Sequence, residues 1–200
     1  MERRGSGSIG MLKEEKILGV ILAGGQSTRF GSNKAFALYD GVPIIRRVLK
    51  AMQEVFAEIF LITNTPEVYR HLPLPVYQDH LTQRGPMGGL VTAFSLTRKE
   101  KIFVVACDLP LLDPELIGCI LKEAQNFDAT IPITEQEEYL MAVYSRALFA
   151  GMKQQILTEE RSLKNFLISK PNIHWFKLPQ HRSCNVNTPQ DLARLEAHAH

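Results

Sequence analysis

The chain predicts an α/β domain in which a mostly parallel sheet lies between two layers of helices. Three observations carry that prediction. Short, fully apolar runs alternate with amphipathic stretches of helical period from residue 17 almost to the C-terminus. Glycine, proline and aspartate punctuate the joints between them, where strand-to-helix turns are expected. The length of 200 residues, 45% hydrophobic and 22% charged, suits one domain with a real core and argues against disorder. No internal repeat, low-complexity tract or long linker divides it.

Taken in order, residues 17–21 (ILGVI) read as a short buried strand. Pro43 opens a helix whose apolar side is Ile44, Ile45, Val48, Leu49, Met52 and Phe56, with Arg46, Arg47, Lys50 and Gln53 facing water. Residues 59–63 form a second buried strand, and residues 86–96 a helix that starts in a glycine-rich turn. A third strand over 101–107 ends at Asp108. Asp113 and Pro114 then supply the cap and first turn of a helix reaching about residue 125. Further strands are expected over 129–133, 139–144 and 173–176, and helices over 147–157, 162–168 and 189–198. Strands alternating with helices imply right-handed crossovers and helices on both sheet faces. Ligands bind such sheets beyond the carboxyl ends of the strands.

Composition narrows the function classes. A net charge of +2 gives no concentrated basic face, so nucleic acid is not an expected partner. No apolar stretch approaches the roughly 20 residues of a membrane span, so no membrane association is expected. Residues 1–10 are charged and then Gly/Ser-rich, without the apolar run of a secretory signal. With a second methionine at Met11, residues 1–14 read as a flexible leader. Cys107, Cys119 and Cys184 are odd in number and never C-x-x-C, which points to a reducing cytoplasm. The six histidines show no ligand spacing for zinc.

The most informative segment is LAGGQSTRFGSNK at 22–34. Glycines let backbone N–H groups approach an anion, and Arg29 and Lys34 can neutralise it, a combination that suits a triphosphate. The spacing is neither that of a P-loop nor that of a dinucleotide fingerprint. A tight turn explains Gly24 and Gly25 but not the cations that join them. Asp108, at a strand end in VACDLP, is placed to hold Mg²⁺ against phosphates, since that ion takes hard oxygen ligands. Taken alone it also reads as a cap for the turn before Pro110. Asp79, in QDHLTQRGPMGG, can accept from the N1–H and amino group of guanine, and an ordinary surface aspartate is the bland alternative. Gly85, Gly88 and Gly89 would let the loop and helix start approach a nucleotide. Asn64 reads from its own neighbourhood as a turn former before Pro66. In NVNTPQDL, Thr188 caps a helix, Pro189 takes its first position and Asp191 meets its dipole. Glu135, Gln136, Glu137 and Glu138 read as a solvated turn, and Trp175 as core or pocket wall.

Set side by side, these blocks resemble the small nucleotidyltransferases, specifically the molybdenum cofactor guanylyltransferases. The loop matches their L-A-G-G-x-S-x-R-x-G-x-x-K signature, and the three other blocks follow in the family's order between residues 17 and 195. The resemblance implies a single-domain, Rossmann-like three-layer α/β/α sandwich of the nucleotide-diphospho-sugar transferase type over residues 15–197. It implies GMP transfer from GTP to molybdopterin or its molybdenum-loaded form, with Mg²⁺ as cofactor and release of pyrophosphate. Arg29, Lys34 and Asp108 become catalytic residues, Asp108 also the metal ligand. Leu22, Ala23, Gly24, Gly25, Ser27, Lys34, Asn64, Asp79, Gly85, Gly88 and Asp108 become GTP-binding residues. Asn185 and Asn187 fall near the acceptor, while Arg161 and Lys164 belong to a late family helix and face the pterin phosphate or solvent. Other cofactor-biosynthesis proteins are the further partners implied, with a monomer or weak homo-oligomer expected. Relatives acting on cytidine nucleotides, sugars or isoprenoid precursors typically read L-A-A-G, so the methyl missing at Gly24 leaves room for a purine. Molybdopterin cytidylyltransferase and other small-molecule nucleotidyltransferases stay open as alternatives, as does a non-catalytic nucleotide-binding module.

Overall fold

A computed structural model describes residues 13–24, 33–81, 84–158, 162–178 and 188–198. In chain order its strands are β1 (Ile17–Ala23), β2 (Leu38–Tyr39), β3 (Val42–Pro43), β4 (Ile59–Thr63), β5 (Val76–Gln78), β6 (Lys101–Ala106), β7 (Ala129–Ile133), β8 (Met141–Ser145) and β9 (Ile173–Lys177). The helices are α1 (Ile44–Val55), α2 (Pro66–Tyr69), α3 (Gly85–Leu96), α4 (Pro114–Glu123), α5 (Phe149–Ile156), α6 (Leu163–Ile168) and α7 (Pro189–His198).

The main sheet runs β5-β4-β1-β6-β8-β7-β9. β1 pairs in parallel with β4 and β6, β4 with β5, and β7 with β9; only β8 runs against its neighbours β6 and β7. The centre of the sheet is buried on both faces, which is why β1, β4 and β6 are continuous apolar runs rather than alternating ones. Ile21, Leu61, Phe103 and Val105 pack in one cluster with Val48 and Met52 of α1 and Ile117 and Ile120 of α4. Leu18, Val20, Ile62 and Val104 pack in the other with Leu90 of α3, Met152 of α5 and Phe166 of α6. The result is the expected three-layer sandwich.

Helix starts follow the sequence. Asp113 Oδ1 accepts from the Leu116 N–H at 2.7 Å and caps α4 with Pro114 in its first turn. Before α7, Thr188 and Asp191 exchange side-chain-to-backbone hydrogen bonds in a capping box. Every residue of the expected apolar side of α1 is buried. The end of the expected leader is docked, with the Glu14 N–H donating to the Val55 carbonyl at 2.7 Å.

Beyond the short elements α2 and β5, which the sequence reading does not include, three features depart from it. β2 and β3 form a hairpin whose turn, Asp40-Gly41, has φ of 49° and 70°. That is the type I′ geometry for which Asp-Gly is a strong signal. Arg47 does not simply face water, because the hairpin covers it: its guanidinium lies 4.7 Å from the Tyr39 ring centroid and donates to the Pro110 carbonyl. The acidic run at 135–138 is only partly solvated. Glu138 is buried and accepts from the Thr134 hydroxyl at 2.7 Å, while Glu137 pairs with Lys164.

Candidate active site

The parallel register lines up the strand ends. Ala23 stands opposite Thr63, Thr63 opposite Gln78, and Leu22 opposite Ala106. The residues that follow, Gly24, Asn64, Asp79 and Cys107-Asp108, therefore leave the same edge of four adjacent strands. With strands about 4.8 Å apart, the row spans roughly 15 Å. Cross-links hold it. Thr63 Oγ1 donates to the Ala23 carbonyl at 2.6 Å, the Cys107 N–H to the Leu22 carbonyl at 3.2 Å, and the Asp79 N–H to the Thr63 carbonyl at 2.8 Å.

At one end of the row, Asp108 is buried and forms an ion pair with Lys34 through Oδ2. Its other oxygen, Oδ1, is buried with no hydrogen-bond partner among the described residues. Lys34 opens a short 3-10 turn, Lys34–Phe36, whose cap Asn33 accepts from the Ala35 N–H. Asn33 Nδ2 donates to the Tyr69 hydroxyl at 2.9 Å, and Phe36 stacks on the Tyr69 ring at 5.4 Å. Tyr69 is thus a buried post for the turn that Lys34 opens, and burial pushes its hydroxyl up to about 12. Cys107, beside Asp108, is also pushed up to about 12, first by burial and then by the neighbouring carboxylate. β6 ends at Ala106, one residue short of the expected strand, so Cys107 is a buried turn residue, with no thiolate available for nucleophilic work.

At the other end, Asp79 Oδ1 accepts from the Leu81 N–H at 2.9 Å and from the Thr92 hydroxyl at 2.8 Å. Asn64 is exposed, with its Nδ2 3.9 Å from where a Cβ on Gly24 would sit. The side chains of Leu22 and Ala23 are buried, so these two residues face the edge with main chain. Gly85 has φ of +60° and open space around it, at the start of α3. Gly88 is enclosed: an added Cβ would lie 2.7 Å from the Leu81 carbonyl oxygen. A Cβ at Gly89 would lie 2.8 Å from the Leu22 side chain. Both glycines let α3 press against the segment that carries Asp79 and against β1.

Gly25, Ser27, Arg29, Gly31, Arg161, Cys184, Asn185 and Asn187 lie outside the described residues. Lys164, on α6, is engaged with Glu137 at 2.8 Å. Trp175 is half-buried and meets the Tyr139 ring edge-on. Thr63, Tyr69 and Thr92 had no site reading from sequence. Only Thr63 carried a local signal, as a polar residue ending an apolar strand.

The model of the MobA-like NTP transferase domain matches residues 19–173. The chain belongs to that family. As a MobA-like NTP transferase it is a nucleotidyltransferase enzyme. A probable molybdenum cofactor guanylyltransferase of Carboxydothermus hydrogenoformans is 31% identical over 183 residues, 88% of this chain and 92% of that protein. A crystal structure of a putative protein from Aquifex aeolicus superposes with a TM-score of 0.76 at 26% identity, covering 90% of this chain and 97% of that one. The molybdopterin-guanine dinucleotide biosynthesis protein A of Archaeoglobus fulgidus gives a TM-score of 0.76 at 22% identity over 92% and 98% of the two chains, a likeness of fold. The architecture of this MobA-like transferase is the nucleotide-diphospho-sugar transferase type expected from its sequence. Among the described residues no helix is long and apolar enough to cross a membrane.

Proposed function

We infer that the protein transfers GMP from GTP to molybdopterin or its molybdenum-loaded form, producing the guanine dinucleotide cofactor and pyrophosphate. The observation that carries this reading is the row of strand ends. A base-reading carboxylate, Asp79, and a phosphate-facing pair, Lys34 and Asp108, stand roughly 15 Å apart across four strands, a separation that suits an extended nucleoside triphosphate. Family membership and a relative named for this reaction support it.

The donor set fits a magnesium ion. Among the described residues, Asp108 offers a buried oxygen without a hydrogen-bond partner and no three metal-binding side chains converge. A single carboxylate that shares the ion with substrate phosphates and water is the usual arrangement for magnesium. When bound, the ion supplies charge neutralisation to the phosphate oxygens. The remaining work belongs to the chain. Lys34, with Arg29, stabilises charge building on the α-phosphate and the departing pyrophosphate. Leu22, Ala23 and Gly24 bring main chain to the triphosphate, Gly25 and Ser27 are assigned to the same ligand, Asn64 and Gly85 flank it, and Gly88 seats the Asp79 segment. The acceptor phosphate is already anionic, so in-line attack on the α-phosphorus requires positioning and no general base. Asn185 and Asn187 are assigned to the acceptor side. The catalytic unit is taken as residues 15–197, working in the cytoplasm.

The test offers the purified protein molybdopterin, Mg²⁺ and each of GTP, CTP, ATP and UTP, and follows dinucleotide and pyrophosphate. Guanine dinucleotide formed from GTP in clear preference is the expected result. Preferential CMP transfer would replace the reading with the cytidylyl one, and nucleotide binding without pyrophosphate release would leave a binding module.

A further inference from the structure

We propose that Thr92 is a positioning residue for base selection, acting through Asp79; this rests on the reading of Asp79 as the guanine-facing carboxylate. Thr92 lies inside α3 and is 6% exposed, among the apolar neighbours Leu90, Val91, Ala93 and Phe94. A β-branched hydroxyl residue is a poor choice for a buried helix interior on propensity alone. Such a hydroxyl ordinarily turns back to the carbonyl four residues earlier. Ser95, one turn on, does this, donating to the Val91 carbonyl at 2.8 Å. Thr92 instead donates across to Asp79 Oδ1 at 2.8 Å, between elements 13 residues apart in sequence.

The consequence for Asp79 follows from its own torsions. The terminal torsion of an aspartate is broad and roughly two-fold, so one hydrogen bond leaves the carboxylate free to pivot. The Leu81 N–H holds Oδ1 from within the same loop. Thr92 adds a second donor to that oxygen from a rigid, buried helix. Two donors from independent elements fix the plane, and Oδ2 has no hydrogen-bond partner among the described residues. A carboxylate fixed in this way presents an acceptor to a base edge that carries donors, as guanine does at N1 and N2 and adenine does not at N1. Thr92 touches no nucleotide itself; its hydroxyl sets the orientation that discriminates.

The experiment compares wild type with Thr92→Val, Thr92→Ser, Thr92→Ala and Asp79→Ala. Affinity for GTP and ATP is measured by calorimetry, and GMP transfer to molybdopterin by steady-state kinetics. Thr92→Val keeps the shape and removes the donor. Its KM for GTP and its GTP-over-ATP preference are expected to worsen by roughly tenfold, the scale of one lost hydrogen bond to a charged group, with kcat changed less than twofold. Thr92→Ser, which retains the hydroxyl, should restore both, and Thr92→Ala repeats the comparison if the valine variant melts early. In the Asp79→Ala background, Thr92→Val should add nothing. An unchanged preference in folded Thr92→Val, or a serine variant no better than valine, overturns the proposal while leaving Asp79 as the base reader. If Asp79→Ala itself keeps the wild-type preference, the reading of Asp79 falls and the role of Thr92 with it.

Discussion

Lys34 and Asp108, 74 residues apart in sequence, meet as an ion pair in which the lysine occupies one carboxylate oxygen and leaves the other buried without a hydrogen-bond partner among the described residues. The pair joins the end of the glycine-rich segment to the end of β6, so the two charged groups proposed to act on a phosphate are already adjacent before any ligand arrives. The arrangement has a thermodynamic side as well. A buried carboxylate without its cation carries a desolvation penalty that is only partly offset, so Lys34 keeps Asp108 tolerable where it is buried.

The two members of the pair should separate by experiment. Asp108→Ala removes both the buried acceptor and the candidate magnesium ligand, and GMP transfer is expected to be nearly abolished while circular dichroism stays that of the wild type. Near-normal Mg²⁺-dependent transfer in that variant would sink the metal assignment. Lys34→Ala is expected to lower kcat by about 10²–10³, the scale of one lost donor to developing charge. An unchanged kcat with a raised KM for GTP would instead make Lys34 a ground-state clamp.

Two glycines on helices should respond in opposite directions to alanine. Gly88→Ala places a Cβ 2.7 Å from a backbone oxygen of Leu81, which must move. A helix-propensity gain of about 1 kcal/mol competes with overpacking of about 1–3 kcal/mol, so a net loss is expected, together with weaker GTP binding because Leu81 belongs to the Asp79 segment. Gly118 in α4 has nothing within 4 Å of a built Cβ. Gly118→Ala should therefore stabilise by about 0.5–1 kcal/mol. Urea midpoints at constant m-value measure both.

What could be read ahead of the structure follows from the range of each interaction. β1, β4 and β6 are legible because strands buried on both faces must be apolar throughout, and the residues after them inherit the sheet edge by register. The caps at Asp113 and Thr188 are legible because their partners lie three residues away. β5 is not legible: it has three residues, preceded by Pro75, and exists because β4 offers it an edge. The Asp40-Gly41 hairpin had a local signal in plain view, obscured by strands of two residues each. The contacts of Tyr69 with Asn33 and of Thr92 with Asp79 are tertiary, and nothing in either residue's neighbourhood announces them.

Arg146 is a stability determinant with no part in the site. Its Nε, Nη1 and Nη2 donate to the carbonyls of Lys99, Phe94 and Thr97 at 3.0, 3.2 and 2.6 Å, and its plane lies over the Phe94 and Phe149 rings. It supplies partners to carbonyls at the C-terminal end of α3, including one in its last turn. The planar fork makes three directed bonds that lysine cannot reproduce. Arg146→Met is expected to cost about 2–3 kcal/mol and Arg146→Lys about 1–2 kcal/mol. The urea midpoint should fall in that order, with KM for GTP unchanged. Equal stability of the lysine variant and the wild type would show that charge alone suffices.

Tyr69 should make the fold sensitive to alkali. Burial is the main reason its hydroxyl is raised from 10.0 to about 12, with Cys107 adding to the rise and the Asn33 hydrogen bond opposing it. The folded state therefore holds this proton more tightly than the unfolded chain does. Stability from this group is fully present below pH 10, the unfolded value, and is lost as pH rises through about 12, the folded one. Tyr69→Phe removes the titration along with the hydrogen bond to Asn33. It should be less stable than wild type at pH 8, and the difference should shrink as pH climbs above 10. Chemical denaturation across that range reads the effect, and tyrosinate absorbance of the native protein should show fewer phenols ionising near pH 10 than the unfolded chain does, since burial raises Tyr69, Tyr139 and Tyr144 alike. A constant difference between the two proteins at all pH values would mean that the Tyr69 hydroxyl ionises like an exposed one, and that the post supporting the Lys34 turn is not buried.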